Sequence, residues 1–183
     1  PSLSALAAEA AAVDADRLDV LPDAMRRAAG ASGGARPKVT VALHADGRVR
    51  DASEPLADGF RHVVVKFRAA TDSAAQVPLE AAYLAMAEAA GLRVPSSSLV
   101  RLADGEWALV VERFDRVGGG RRHALSFAAL LEADYRVDLV DYHTLLDRTR
   151  RMTRDYGEVA QALRLAAFNV LAQNRDDHIK NIS

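Results

Sequence analysis

The sequence predicts an α+β fold in which a strand-rich amino-terminal part is followed by a helical part. Two β-branched runs, Val39-Thr40-Val41-Ala42-Leu43 and Arg61-His62-Val63-Val64-Val65-Lys66-Phe67, precede residue 114, and branched side chains suit a pleated, half-buried backbone. The dipeptides Asp46-Gly47 and Asp104-Gly105 supply hairpin turns. Beyond residue 120 the apolar residues recur at spacings of three and four behind a Ser or an Asp, the pattern of capped amphipathic helices. Strands and helices segregated in this way make an α+β, two-lobe arrangement.

Taken in order, residues 1–29 form a helical lead-in of one or two short helices, with Ser4 or Asp14 as caps. Residues 30–116 form the strand-rich lobe. It opens with the glycine-rich connection Gly30-Ala31-Ser32-Gly33-Gly34-Ala35-Arg36-Pro37-Lys38 and the strand 39–43. A second strand, 61–67, carries Lys66 near its end. A helix comes next: Pro78 suits its first turn, Leu79, Tyr83, Met86 and Ala90 recur at helical spacing, and Gly91 and Pro95 stop it. Leu99 to Leu102 and Trp107 to Val111 make a hairpin that leads into Glu112-Arg113-Phe114-Asp115-Arg116 and a flexible Gly118-Gly119-Gly120. Residues 117–183 form a partial helical lobe. Ser126 caps a helix through Leu131, Asp141 one through about Arg151, and Asp155 a long one through Ala172, with Val159, Leu163, Ala166, Ala167 and Val170 as its apolar stripe.

Half of the 183 residues are apolar, enough for a real core in one or at most two domains. The chain has no cysteine, which removes disulfides, thiolate metal sites and cysteine nucleophiles together. Its 24 basic and 25 acidic residues nearly cancel, so charge gives no case for general nucleic-acid binding. There is no apolar run of membrane-spanning length and no signal-peptide pattern, so a cytoplasmic protein without membrane association is expected. Pro1 in place of a start methionine, and an end at Asn181-Ile182-Ser183 straight after the most motif-like segment, predict a piece of a longer protein.

That segment, Asn174-Arg175-Asp176-Asp177-His178-Ile179-Lys180-Asn181, leaves the long helix as a polar loop. Arg175-Asp176, four residues and then Asn181 reproduce the R-D-x-x-x-x-N spacing of a kinase catalytic loop. Phosphoryl transfer needs an aspartate to take or orient a hydroxyl proton and a nearby amide oxygen to ligate magnesium, both converging on one phosphoryl group. A polar helix terminus, where Asn, Asp and His gather, is the other reading of the same residues.

Asn174-Arg175-Asp176-Asp177-His178-Ile179-Lys180-Asn181-Ile182-Ser183 resembles the D-x-H-x-K-N-[FI]-S catalytic segment of HipA-like kinases, the toxin components of bacterial toxin–antitoxin pairs. Gly33-Gly34-Ala35-Arg36-Pro37-Lys38 resembles that family's glycine-rich loop, and Val111-Glu112-Arg113-Phe114-Asp115-Arg116 its segment linking the lobes. The resemblance covers roughly residues 30 to 183. It implies a protein-kinase-like two-lobe fold and an ATP- and Mg²⁺-dependent transfer to a serine or threonine of a protein, with a translation-related target such as an aminoacyl-tRNA synthetase. It also implies a helix-turn-helix antitoxin partner, with DNA contacted only through that partner. Asp176 becomes the catalytic base and Asn181 a magnesium ligand, with His178, Ile179 and Lys180 beside the ATP phosphates. The family's second magnesium-binding aspartate falls farther along the chain than Ser183. Family autophosphorylation occurs on a serine of the glycine-rich loop; Ser32 is the nearest candidate, one residue from the matching place, where Ala31 stands.

On the nucleotide side, Lys66 ends a Val-rich strand, the setting of a phosphate-binding lysine or of a strand-end lysine reaching water. The resemblance favours the first reading. Glu80 shares a helix side with Leu84 and Ala87 and can pair with Lys66, or act as a first-turn carboxylate favoured by the helix dipole. Gly33 and Gly34 let backbone amides approach phosphates, with Lys38 adding charge; an ordinary loop before a strand is the alternative. Glu112, Arg113 and Phe114 form either an exposed backbone edge for adenine, with Asp115 near the ribose, or a charged strand end. Arg148, Arg150, Arg151 and Arg154 form a basic cluster that reads as a solvated helix face. His44, His62, His123 and His143 lack metal-ligand spacing. Two other functions compete with the kinase reading: an inactive kinase fragment that binds an antitoxin-like partner, and a small-molecule kinase on the same fold.

Overall fold

The computed structural model describes residues 2–14, 36–53, 56–138 and 140–183. The fold is α+β, built on an antiparallel sheet with helices before and after it. Helix α1 (Leu3–Asp14) opens it. Its cap is Ser2, not Ser4: the Ser2 hydroxyl accepts from the Ala5 N–H at 3.2 Å, while Ser4 Oγ accepts from the Ala103 N–H at 3.0 Å. A helix capped by Asp14 would fall outside the described residues, as do Ser32, Gly33, Gly34 and Ala35.

Strands β1 (Lys38–His44), β2 (Val49–Asp51), β3 (Phe60–Lys66), β4 (Ser97–Arg101) and β5 (Trp107–Glu112) pair antiparallel in the order β2-β1-β3-β5-β4. Each hairpin turn falls where its Asp-Gly stands, and Gly47 takes φ 87°, which a Cβ would resist. Side chains alternate between faces along each strand. Val39, Val41 and Leu43, Val63 and Val65, and Ala108 and Val110 therefore share one face, where Leu6 and Ala10 of α1, Phe67 and Leu102 complete a core. Val63, Val65 and Ala108 have no solvent exposure. The opposite face carries Lys38, Thr40, Val64, Lys66 and Leu109, with Lys38 directly across from Lys66.

Helix α2 (Gln76–Ala89) follows β3 and contains Pro78 in its first turn. Its buried positions are Val77 and Ala87, whereas Leu79 and Met86 of the predicted stripe are each 50% exposed. The inward side runs 77, 80, 84, 87 and admits Glu80, so size and hydropathy alone pick the wrong face. Gly91, at φ 79°, ends the helix, and the Leu92 N–H bonds back to the Ala87 carbonyl at 3.0 Å. Gly118-Gly119 turns a short ribbon of β6 (Arg116–Val117) and β7 (Gly120–Arg121). Both glycines have positive φ, the backbone a two-residue hairpin requires.

Helices α3 (Phe127–Leu130), α4 (Tyr142–Thr153) and α5 (Tyr156–Leu171) begin at the predicted caps. Ser126, Asp141 and Asp155 accept from the N–H groups of Ala129, Thr144 and Gly157 at 3.2, 2.8 and 2.7 Å. Phe127, Ala128, Leu145 and Ile179 form the core here. The buried residues of α5 are Ala166 and Asn169, while Leu163 and Val170 of the predicted stripe are 57% and 66% exposed. The stripe holds at Ala166 and, in part, at Val159, and departs at its carboxy-terminal end, where the inward position is a polar residue, Asn169, with partners in the loop beyond the helix.

The chain divides into two compact units, Pro1–Ala85 with Pro95–Arg121, and Met86–Val94 with Arg122–Ser183. Among the described residues no helix is long and apolar enough to cross a membrane.

Candidate functional site

In the first unit, β1 and β3 bring two cations together. Antiparallel partners project to the same face, so the Lys38–Lys66 register sets two ammonium-bearing chains side by side. Like charges in this relation repel. Lys66 Nζ donates to the Glu80 carboxylate, the ion pair expected from the sequence, although Glu80 stands just past the first turn of α2. Lys66 and Glu80 remain about one third exposed, at 35% and 30%. Arg36 pairs with Asp72 at 3.2 Å, and the Pro37 carbonyl accepts from the Phe67 N–H at 3.0 Å, which fixes the entry into β1 beside the end of β3.

Residues 112–116 leave the sheet at the end of β5. The Glu112 N–H donates to the Ser96 carbonyl at 2.8 Å and the Arg113 N–H to the His62 carbonyl at 3.0 Å, so both donors serve the sheet. Glu112 accepts from Arg61 at 2.7 Å. Asp115 is clamped between Arg113 and Arg116, and the Arg113 guanidinium holds its carboxyl below the ordinary carboxylate range. Phe114 is 60% exposed. A small cavity of about 180 Å³ lies beside these residues, lined by His62, Arg113, Arg116 and the backbone of Gly118 to Gly120 among others. Burial, with Arg116 and Arg113 nearby, pushes the His62 imidazole below its ordinary value.

In the second unit the loop after α5 folds back on itself. The Asp176 N–H donates to Asn174 Oδ1 at 3.1 Å, an Asx turn. Asn181 Nδ2 donates to the Asp176 carboxylate and to the Asp176 carbonyl, both at 2.9 Å. The two residues matched by the R-D-x-x-x-x-N spacing are therefore in contact, and the Asp176 side chain is 82% exposed. His178 Nε2 lies 3.3 Å from the Asp176 carboxylate, and the His178 ring stacks on Tyr135 with centroids 4.6 Å apart. Lys180 Nζ sits 4.9 Å from the Tyr135 ring centroid, a cation–π arrangement. Ile179 is buried in the helical core, and its carbonyl accepts from the Ala128 N–H at 3.0 Å. The Ile182 carbonyl accepts from the Phe127 N–H at 2.7 Å, so the start of α3 ties down the loop from both sides of Asn181.

With Nδ2 committed to Asp176, the Asn181 amide oxygen is the atom left to meet a metal, and the adjacent Asp176 carboxylate adds hard oxygen donors. Magnesium takes one or two protein oxygens of this kind and fills its other positions with water and phosphate. The donor chemistry of the loop fits such an ion. Among the described residues no three histidine or carboxylate side chains gather into a protein-only metal site.

Sequence reasoning missed Tyr135, Tyr142 and Asn169. Tyr142 Oη donates to one Asp177 oxygen and Asn169 Nδ2 to the other, at 2.9 Å for the latter. The sole available signal was an Asn among the apolar residues of α5, and its partners become visible only once the loop returns. Arg148, Arg150, Arg151 and Arg154 are all exposed; Arg151 pairs with Asp147 one turn back, and Arg150 lies over the Tyr156 ring.

A family model described as HipA-like C-terminal domain matches residues 30–183. Among solved structures, one similar chain comes from the complex of HipA, HipB and operator DNA of the Shewanella oneidensis MR-1 toxin–antitoxin system. The TM-score is 0.62 at 21% identity, over 82% of this chain and 39% of that one. The likeness is one of fold, and this chain spans well under half the length of its neighbour. Curated protein sequences give no match. With 30–183 matched, this chain belongs to the HipA-like C-terminal domain family.

Proposed function

We propose that this chain is the nucleotide-handling and catalytic-loop part of a HipA-type serine/threonine protein kinase with a two-lobe kinase-like fold. The observation that carries the reading is the contact of Asn181 with the Asp176 carboxylate at 2.9 Å, because phosphoryl transfer needs a proton acceptor and an amide-oxygen metal ligand at one point. The Lys66–Glu80 pair, with Lys38 across the strand, supports it from the other unit. A lysine held by a glutamate at the end of a strand suits the phosphates of ATP.

In this reading Lys66, oriented by Glu80, binds the nucleotide phosphates, and Arg36, Pro37 and Lys38 with Gly33, Gly34 and Ala35 border them. Glu112, Arg113 and Phe114 contact the adenine side, chiefly through carbonyls and the Phe114 ring, since the first two amides are committed. Asp176 accepts the proton of a serine or threonine hydroxyl as its oxygen attacks the γ-phosphorus and ADP leaves. Asn181 ligates Mg²⁺, which neutralises phosphate charge when bound, and His178, Ile179 and Lys180 flank the transferred group. Ser32 is the proposed autophosphorylation site. The acceptor is a protein of the translation apparatus, and the partner a helix-turn-helix antitoxin that brings any DNA contact with it, in a bacterial cytoplasm.

Calorimetry with ATP tests the reading. Saturable binding that strengthens with Mg²⁺ and weakens at least tenfold in Lys66→Ala is expected, together with loss of phosphoryl transfer in Asp176→Asn. Absence of ATP binding by the folded chain would leave the alternative of a non-catalytic fragment that engages an antitoxin-like partner, which the HipB-containing neighbour favours.

A further inference from the structure

Two aspartates stand side by side in the loop, and their surroundings give them different tasks. Asp176 meets only residues of its own loop, Asn181 and His178, whereas the two oxygens of Asp177 accept from Tyr142 and Asn169, which stand on helices outside the loop. Tyr142, the first residue of α4, donates to one, and Asn169, in the last turns of α5, donates to the other. Asn169 is only 7% exposed and, with Thr40, is one of two buried polar residues among those described. Its side chain is fully used: Nδ2 serves Asp177, and Oδ1 accepts from Asn174 Nδ2 at 3.2 Å. Its carbonyl accepts from the Asn174 N–H at 2.9 Å. One buried amide thus ties the end of α5 to both the entry of the loop and its middle. Gln173, at φ 53°, makes the turn between them.

We propose that Asn169 and Tyr142 are positioning residues that hold Asp177, and through it fix the placement of Asp176 and Asn181 for phosphoryl transfer. The inference rests on the kinase reading for its catalytic consequence but not for its geometry. A buried amide in a helix costs stability unless every polar atom is paired, and here Asp177 and Asn174 of the loop pair it, with Tyr142 of α4 alongside. Rate is sensitive to such second contacts because a displacement of about 1 Å at the reacting groups can cost about a hundredfold. Burial, and then the Asp177 carboxylate, raise the Tyr142 phenol above its ordinary value, so it stays a proton donor across the working pH range.

The test compares the wild-type chain with Tyr142→Phe, which removes one oxygen and keeps the ring, and with Asn169→Leu. Amide hydrogen exchange over residues 174–181 is read first, then turnover of Mg-ATP. Expected are faster exchange confined to the loop and a kcat lowered about tenfold or more, with KM for ATP changed by less than about threefold, because the nucleotide contacts are made elsewhere. Unchanged loop exchange in folded Tyr142→Phe overturns the inference, whatever the rate. Faster exchange with kcat retained overturns the catalytic part. If the wild type neither binds nor turns over ATP, the kinase reading fails, while the exchange result still decides whether Asp177 is held in this way. Should Asn169→Leu not fold, Tyr142→Phe carries the decision alone.

Discussion

The two units of this chain bury apolar surface in different ways. The sheet unit fills one face with small β-branched and aliphatic side chains, and Val63, Val65 and Ala108 lose all contact with water. The helical unit gathers Phe127, Ala128, Leu145 and Ile179 into a thinner core, yet leaves Tyr156, Leu163, Val170 and Leu171 from 57% to 84% exposed. In the helical unit polar ties accompany the apolar packing. Here those ties are the helix caps and the bonds that α3, α4 and α5 make to the loop.

Equivalent core deletions should separate the two. Leu43→Ala, at 5% exposure in the sheet core, is expected to cost about 4 kcal/mol, and Leu145→Ala, at 4% in the thinner core, about 2–3 kcal/mol. Urea titration followed by hydrogen exchange, unit by unit, checks both, and equal costs would erase the contrast. A smaller effect tests the polar ties directly: Ser126→Ala should remove about 1 kcal/mol and loosen the loop bound to α3. Tryptophan fluorescence at Trp107, which reports on the sheet unit, should be unmoved by it. The smallest effect belongs to His62. Its folded value lies below its ordinary value of 6.5, so the unfolded chain takes up the proton first. Stability should therefore be intact above about pH 7 and decline as pH falls through 6.5 toward the depressed folded value. In His62→Gln this part of the decline should vanish, seen as a flatter midpoint-versus-pH curve.

The strands, the Asp-Gly turns and the caps Ser126, Asp141 and Asp155 were legible because each rests on chemistry within a few residues. Faces were harder. In α2 the exposed Leu79 and Met86 are larger and more apolar than the inward Glu80, so a search for hydrophobic periodicity follows the wrong side, and in α5 it finds the buried Ala166 but adds the exposed Leu163 and Val170 and passes over Asn169. The loop spacing anticipated the Asp176–Asn181 contact, and Lys66 found Glu80 as expected. The anchoring of Asp177 was invisible because its partners stand 8 and 35 residues away and carry no motif.

The helix Gln76–Ala89 begins in one unit and ends in the other. Its final turn and the stretch to Val94 are held by bonds to α5: Arg93 to Glu158, and Gln161 and Arg164 to the Gly91 carbonyl. During synthesis this segment leaves the ribosome before β4 and β5, which complete the sheet, and long before α5. Residues 86–94 must therefore wait, tethered to a nearly finished sheet unit, for partners made some seventy residues later. The helical unit thus owns an early piece of the chain whose partners are made late.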